Sequence, residues 1–160
     1  MITAFVGVGS NVDREKHIRA ACQELSLIAS NLKMSPVYAC ESFGFSGNDF
    51  YNMVVRLDTS LNLVEFSAAL KEIEVKWGRD IDAAKFQNRT IDLDILLFGN
   101  EISQKKPLVP REDIFKYSFV TQPLYDLAPD LVIPNDERSL CQILAAIPAP
   151  VALRRIDFQF

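Results

Sequence analysis

Histidine and cysteine are scarce in this 160-residue chain, which has one of the first and three of the second. Cys22, Cys40 and Cys141 are scattered, odd in number and in no metal-ligand spacing. A zinc site built from thiolates and imidazoles therefore has no support, and a reducing compartment is the simpler setting. The single His17 lies one residue before Ile18, at the edge of an apolar helical stripe and without a His or Cys partner pattern. A surface or boundary role is expected of it rather than catalysis. No apolar run approaches the length of a membrane span, and no charged-then-apolar leader opens the sequence. The expected location is the cytoplasm, without a membrane partner. Positive charge is in deficit, since 17 Lys and Arg against 21 Asp and Glu leave a net charge of −4. That balance argues against a nucleic-acid partner. Repeats, low-complexity tracts and linkers are also missing, so one domain spanning 1–160 with a single sizeable core is expected.

What the chain does have is a distinctive stretch from Asn88 to Phe98. Ile91, Leu93, Ile95 and Leu97 alternate with Asp92 and Asp94, the period-two pattern of a strand. Residues two apart share a face, which puts the two carboxylates side by side with β-carbons about 7 Å apart. Asp is depleted in strands, and adjacent like charges repel unless something positive lies between them. Hard oxygen donors of this kind suit Mg²⁺, which takes one or two carboxylates and completes its shell with water and phosphate. The plainer alternative is that both aspartates face solvent on a one-sided antiparallel sheet. Arg89 and Thr90 lead into the strand, and an Arg there can hold a phosphate with two parallel hydrogen bonds.

The remaining elements follow from periodicity and breakers. Ile2 to Val8 reads as a buried strand leaving through Gly9-Ser10-Asn11, where Gly permits a tight exit and close approach of a ligand. Ser10, Asn11 and Asp13 are candidate N-caps for a helix over Asp13 to Ala29. Leu32 to Tyr38 is a strand broken or edged by Pro36, and Ala39 to Asp49 is a loop carrying Phe43 and Phe45. Phe50 to Leu57 is a strand with Asn52 inside it; that amide either completes a local backbone bond or reads the edge of a flat ring stacked on an aromatic. Asn62 and Glu65 open a second helix ending near Gly78, and Glu74 on it and Arg79 just after the glycine read as surface charges from position alone. Asp80 to Gln87 is a polar loop. Lys105, Lys106 and Arg111 bracket the Pro107–Pro110 segment, and Phe119 and Val120 read as core or site-wall residues. A short helix is expected around Pro123–Leu127, another over Arg138–Ala146, and a final strand within Val151–Phe158.

The order strand, helix, strand, strand, helix, strand predicts an α+β fold, a ferredoxin-like split βαβ sandwich with helices packed on a mainly antiparallel sheet. Gly9-Ser10-Asn11, Phe50-Tyr51-Asn52, the run Arg89-Thr90-Ile91-Asp92-Leu93-Asp94-Ile95-Leu96, and Phe119 ahead of Pro123-Leu124-Tyr125-Asp126-Leu127-Ala128-Pro129 occur in that order. Together they resemble the 6-hydroxymethyl-7,8-dihydropterin pyrophosphokinases of folate synthesis, over nearly the whole chain. The resemblance implies transfer of diphosphate from ATP to the pterin hydroxymethyl group with release of AMP. It implies two Mg²⁺ ions on Asp92 and Asp94, pterin contacts from Cys40, Phe43, Phe50, Asn52 and Phe119, and catalytic roles for Arg79 and Arg89 beside the aspartates. Glu74, Arg89, Lys106, Arg111 and Lys116 fall on the ATP side, and the loops Ala39–Asp49 and Asp80–Gln87 are those that close over substrates.

The departures are concentrated on the nucleotide side. Gln87-Asn88 replaces a usual Gly-Pro, Ile81 and Phe86 stand where the family carries an Arg and a Trp, and Arg111-Glu112 and Tyr117 stand where a His and an Arg are typical. Arg is not a neutral substitute for His at a hydrogen-bonding site. Cys40 and Glu41 also replace a Thr or Glu followed by Pro. Two alternatives follow: a pterin-binding relative with lost or altered phosphotransfer, and the same chemistry on a different pterin. The expected partners are small molecules, and a monomer is expected.

Overall fold

The computed structural model of the chain describes residues 1–40, 49–78, 90–148 and 152–160. The elements are β1 (Ile2–Ser10), α1 (Arg14–Ile28), β2 (Ser30–Met34), β3 (Val37–Cys40), β4 (Phe50–Thr59), α2 (Leu63–Lys76), β5 (Asp92–Phe98), a 3₁₀ turn (Glu112–Phe115), α3 (Ser118–Leu127), α4 (Leu140–Ala146) and β6 (Arg154–Ile156). One sheet runs in the order β5-β1-β4-β3-β6, with β2 also pairing β4 and every pairing antiparallel. Inserting β4 between β1 and the β2–β3 segment makes this a split βαβ unit, as the element order predicts. The expected strand over Leu32–Tyr38 is divided at Ser35-Pro36 into two strands on the same side of β4, because Pro cannot donate to a ladder.

Both faces of the sheet are covered. Ala4, Val6 and Val8 of β1 pack with Ile18, Leu25, Phe66 and Leu70 in the core under α1 and α2. Phe5, between them, turns to a second core with Val54, Leu96, Ile114, Leu124, Ile133 and Leu140. β5 switches parity on the way: Val6 pairs with Ile95 but Phe5 with Leu97, so Leu96 is an extra residue in a β-bulge. The bulge sends both Leu96 and Leu97 to the second core, while Leu93 and Ile95 stay in the first. Period two alone puts Leu97 on the face of Ile95, and the bulge corrects that.

Helix ends follow their chemistry unevenly. At α2 the expected capping box is complete: Asn62 Oδ1 accepts from the Glu65 N–H at 2.9 Å, and Glu65 Oε1 accepts from the Asn62 N–H at 3.0 Å. Ser139 and Gln142 repeat it at α4. At α1 Asp13 holds the N-cap position in a left-handed conformation, φ 43°, with no side-chain cap bond. The helix around Pro123 begins five residues earlier than its proline suggests, at Ser118. The Thr121 hydroxyl donates back to the Ile114 and Tyr117 carbonyls at 2.5 and 3.1 Å and anchors this first turn. His17 is buried rather than superficial. Its Nδ1–H donates to the Val12 carbonyl at 2.5 Å, and its ring meets Trp77 edge-on at 5.9 Å, so its place is structural. Among the described residues no helix is long and apolar enough to cross a membrane.

Candidate active site

Antiparallel register fixes which side chains share a face, and one row across the sheet collects the expected groups. Asp92 on β5 pairs with Gly9 on β1, Gly9 pairs with Asn52 on β4, and Asn52 pairs with Tyr38 on β3. One step along, Asp94 pairs with Gly7 and Gly7 with Val54. Gly9 leaves its part of the row without a side chain, whereas at Gly7 the Leu96 side chain lies 3.5 Å from where a β-carbon would stand. A β-carbon at Gly9 would lie 3.0 Å from Asn52 Oδ1 and 3.8 Å from the Phe50 ring, so the amide oxygen already leans over β1. The same face carries the carboxylate pair at one end and the amide at the other, with bare backbone between.

Asn52 is oriented by its neighbour strand: Nδ2 donates to Cys40 Sγ at 3.0 Å. Burial pushes the Cys40 thiol up to about 11, so it keeps its proton and is no nucleophile at neutral pH. Phe50 shares the face of Asn52 and is half-buried. Phe119 lies in the first turn of α3, half-buried and stacked on Tyr117 at 5.0 Å with the rings 16° apart. The Asn52 amide with Phe50 beside it is the kind of pairing that reads a flat heterocycle.

At the other end of the row, Asp92 and Asp94 are half-buried on a covered sheet face rather than on a solvent face. Arg111 is drawn to them because its own N–H bonds to the Leu96 carbonyl at 2.9 Å, laying its segment along β5. Its guanidinium reaches Asp94 at 3.5 Å and Asp113 at 3.1 Å. Burial, then the adjacent Asp92, hold the Asp94 pKa well above the ordinary carboxylate value, and Arg111 only partly offsets them. Lys116 instead pairs with Glu112 at 3.0 Å on the surface, and Lys106 is exposed in its loop.

Glu74 corrects the expectation of a surface charge. It is 6% exposed, and its Oε2 accepts from the Leu93 N–H at 2.8 Å. Phe43, Arg79 and Arg89, together with Ile81, Phe86 and nearly all of the two expected closing loops, lie outside the described residues. Asp113 and Tyr38 were not legible as site neighbours, since one is an acidic residue in a charged loop and the other a tyrosine in an apolar strand.

Comparison with known proteins bears on this geometry directly. The family described as 7,8-dihydro-6-hydroxymethylpterin-pyrophosphokinase (HPPK) matches residues 5–129. The chain belongs to the HPPK family. It is 38% identical over 149 residues to the 2-amino-4-hydroxy-6-hydroxymethyldihydropteridine pyrophosphokinase of Pseudomonas aeruginosa, covering 90% of this chain and 91% of that one. It is 34% identical over 142 residues to the Haemophilus influenzae protein of the same name, covering 86% and 88%. The HPPK-DHPS of Plasmodium falciparum, solved with pteroate, has a TM-score of 0.68 at 12% identity; the match covers 90% of this chain and 42% of that one. At that identity the likeness concerns the HPPK fold alone. The match to residues 5–129 takes in most of β1 and everything through α3, and with them Asp92, Gly9, Asn52 and Tyr38.

Proposed function

We propose that this HPPK-family chain transfers the diphosphate of ATP to the hydroxymethyl oxygen of 6-hydroxymethyl-7,8-dihydropterin, releasing AMP in the synthesis of folate. The observation that carries the reading is the row Asp92–Gly9–Asn52, which sets a carboxylate pair and a ring-reading amide on one sheet face, two strands apart. The pterin hydroxyl oxygen bonds to the β-phosphorus and releases its proton to solvent, the bond from that phosphorus to the α-phosphate bridging oxygen breaks, and AMP departs with that oxygen.

Asn52 reads the pterin edge, its Nδ2 already committed in one direction to Cys40, while Phe50 and Phe119 supply the apolar walls. Phe43 is assigned to the same slot, and Arg79 and Arg89 to the transferring phosphates, from the family resemblance. The residues present fit Mg²⁺: two hard carboxylates on one face hold each other's charge at a cost, as the raised Asp94 pKa reflects. Asp92 and Asp94 would hold the ions, two in number by the family pattern, and bound Mg²⁺ neutralises phosphate charge in such transfers. Arg111, standing where a His is usual, adds a fixed cation beside the triphosphate, and Lys106 and Lys116 contribute more diffusely. Glu74 acts through the Leu93 backbone, holding the strand that bears both aspartates. The protein's contribution is placement and exclusion of water rather than covalent chemistry. The working form is a cytoplasmic monomer of a single domain.

The test is to mix the protein with ATP, Mg²⁺ and the hydroxymethyl pterin and to quantify AMP. AMP released only when the pterin is present supports the reading. Pterin binding without AMP, or AMP released only with a different pterin, overturns it. Asp92→Ala and Asp94→Ala should each lower turnover by about a thousandfold or more, since several kcal/mol of charge stabilisation is removed.

A further inference from the structure

The cross-strand row does not stop at Asn52. It continues to Tyr38 on β3 and to Arg155 on β6, each the register partner of the residue before it. Tyr38 is buried, and its hydroxyl donates to Asp126 Oδ2 on α3. The other carboxylate oxygen of Asp126 accepts from Gln122 Nε2 at 2.9 Å. Burial first, and the adjoining Asp126 after it, push the Tyr38 hydroxyl up to about 12, so it stays protonated and can only serve that carboxylate as a donor.

Phe119, Gln122 and Asp126 stand at i, i+3 and i+7 of one helix and share a stripe. The aromatic wall and the carboxylate that meets the sheet are thus parts of one rigid element. α3 also packs on the sheet through the apolar second core, where Leu124 lies with Phe5, Val54 and Leu96. Apolar burial is non-directional and leaves the helix free to settle over a range of positions, whereas a charge-assisted hydrogen bond fixes distance and angle. Packing alone would be served as well by a phenylalanine at position 38.

We propose that Tyr38 is a positioning residue of the pterin slot: through Asp126 it ties α3 to β3 and sets the gap between the Phe119 ring and the Asn52 amide. This rests on the pyrophosphokinase reading above. The experiment is calorimetric titration of the whole protein with the hydroxymethyl pterin and, separately, with a non-hydrolysable ATP analogue and Mg²⁺. Tyr38→Phe and Asp126→Ala should each weaken pterin binding about tenfold while leaving the nucleotide analogue within about twofold. The double variant should be no worse than either single one, and Asp126→Asn, which keeps an acceptor oxygen, should recover most of the affinity. Unchanged pterin affinity in Tyr38→Phe overturns the proposal. So does equal weakening of both ligands with a lowered Tm, the mark of a merely structural bond. A wild-type protein that binds no pterin overturns the functional reading itself, and the positioning role with it.

Discussion

Glu74 shows how a single carboxylate can serve a site it does not line. Its bond to the Leu93 N–H satisfies a backbone donor on the side of β5 away from β1, between the two aspartates in sequence. Glu74→Ala leaves that donor buried without its partner, and an expected loss of about 1–3 kcal/mol follows. Glu74→Gln keeps an acceptor and should lose much less. Denaturant unfolding decides it, and an unchanged midpoint in Glu74→Ala would contradict the role. Asp94 makes a prediction with a definite sign. Its folded-state pKa is raised, so the folded chain binds this proton more tightly than the unfolded one. The resulting stabilisation is complete below the ordinary carboxylate value of 3.8 and is lost as pH rises through the higher folded value. Metal-free protein should therefore lose stability across that window, and Asp94→Asn should flatten the decline. Thermal unfolding in chelator as a function of pH measures both; a wild-type curve that rises across the window would contradict the electrostatics described.

The elements carry their own tests and show what a linear sequence can convey. Gly9 sits in β1 with ordinary strand geometry, so Gly9→Ala should fold, yet its new methyl group would crowd the Asn52 amide at 3.0 Å. Pterin affinity should fall about tenfold or more with nucleotide affinity retained; undiminished pterin binding would show that the amide does not face the slot. Much of this level was legible beforehand. The strand β1, the helices α1 and α2, the Asn62–Glu65 cap and the break at Pro36 all follow from local spacing and local chemistry. The misses have other causes. The bulge at Leu96 depends on what β1 presents opposite it, the burial of His17 and Glu74 on how helices pack, and the early start of α3 on a hydroxyl that reaches Ile114. The first two are decided by partners distant in sequence, and the third by a side-chain bond within the loop that period counting does not see.

At the scale of the whole molecule, the split βαβ topology is what turns separated motifs into one surface. Gly9, Asn52 and Asp92 are far apart in the chain, and they become neighbours because β1 lies between β4 and β5. The candidate site was legible in the sequence as residue types in order, through the resemblance, but the row itself is a property of strand register. The second core brings α3 to the same face of the sheet, with Phe119 stacked on Tyr117 in its first turn. The most direct test of this account is a crystal structure with Mg²⁺, a non-hydrolysable ATP analogue and the hydroxymethyl pterin. Mg²⁺ is expected on the carboxylates of Asp92 and Asp94, with the triphosphate on those ions and the pterin ring against Asn52 beneath Phe119. Metal-free aspartates with the ligands bound on another face of the sheet would contradict it.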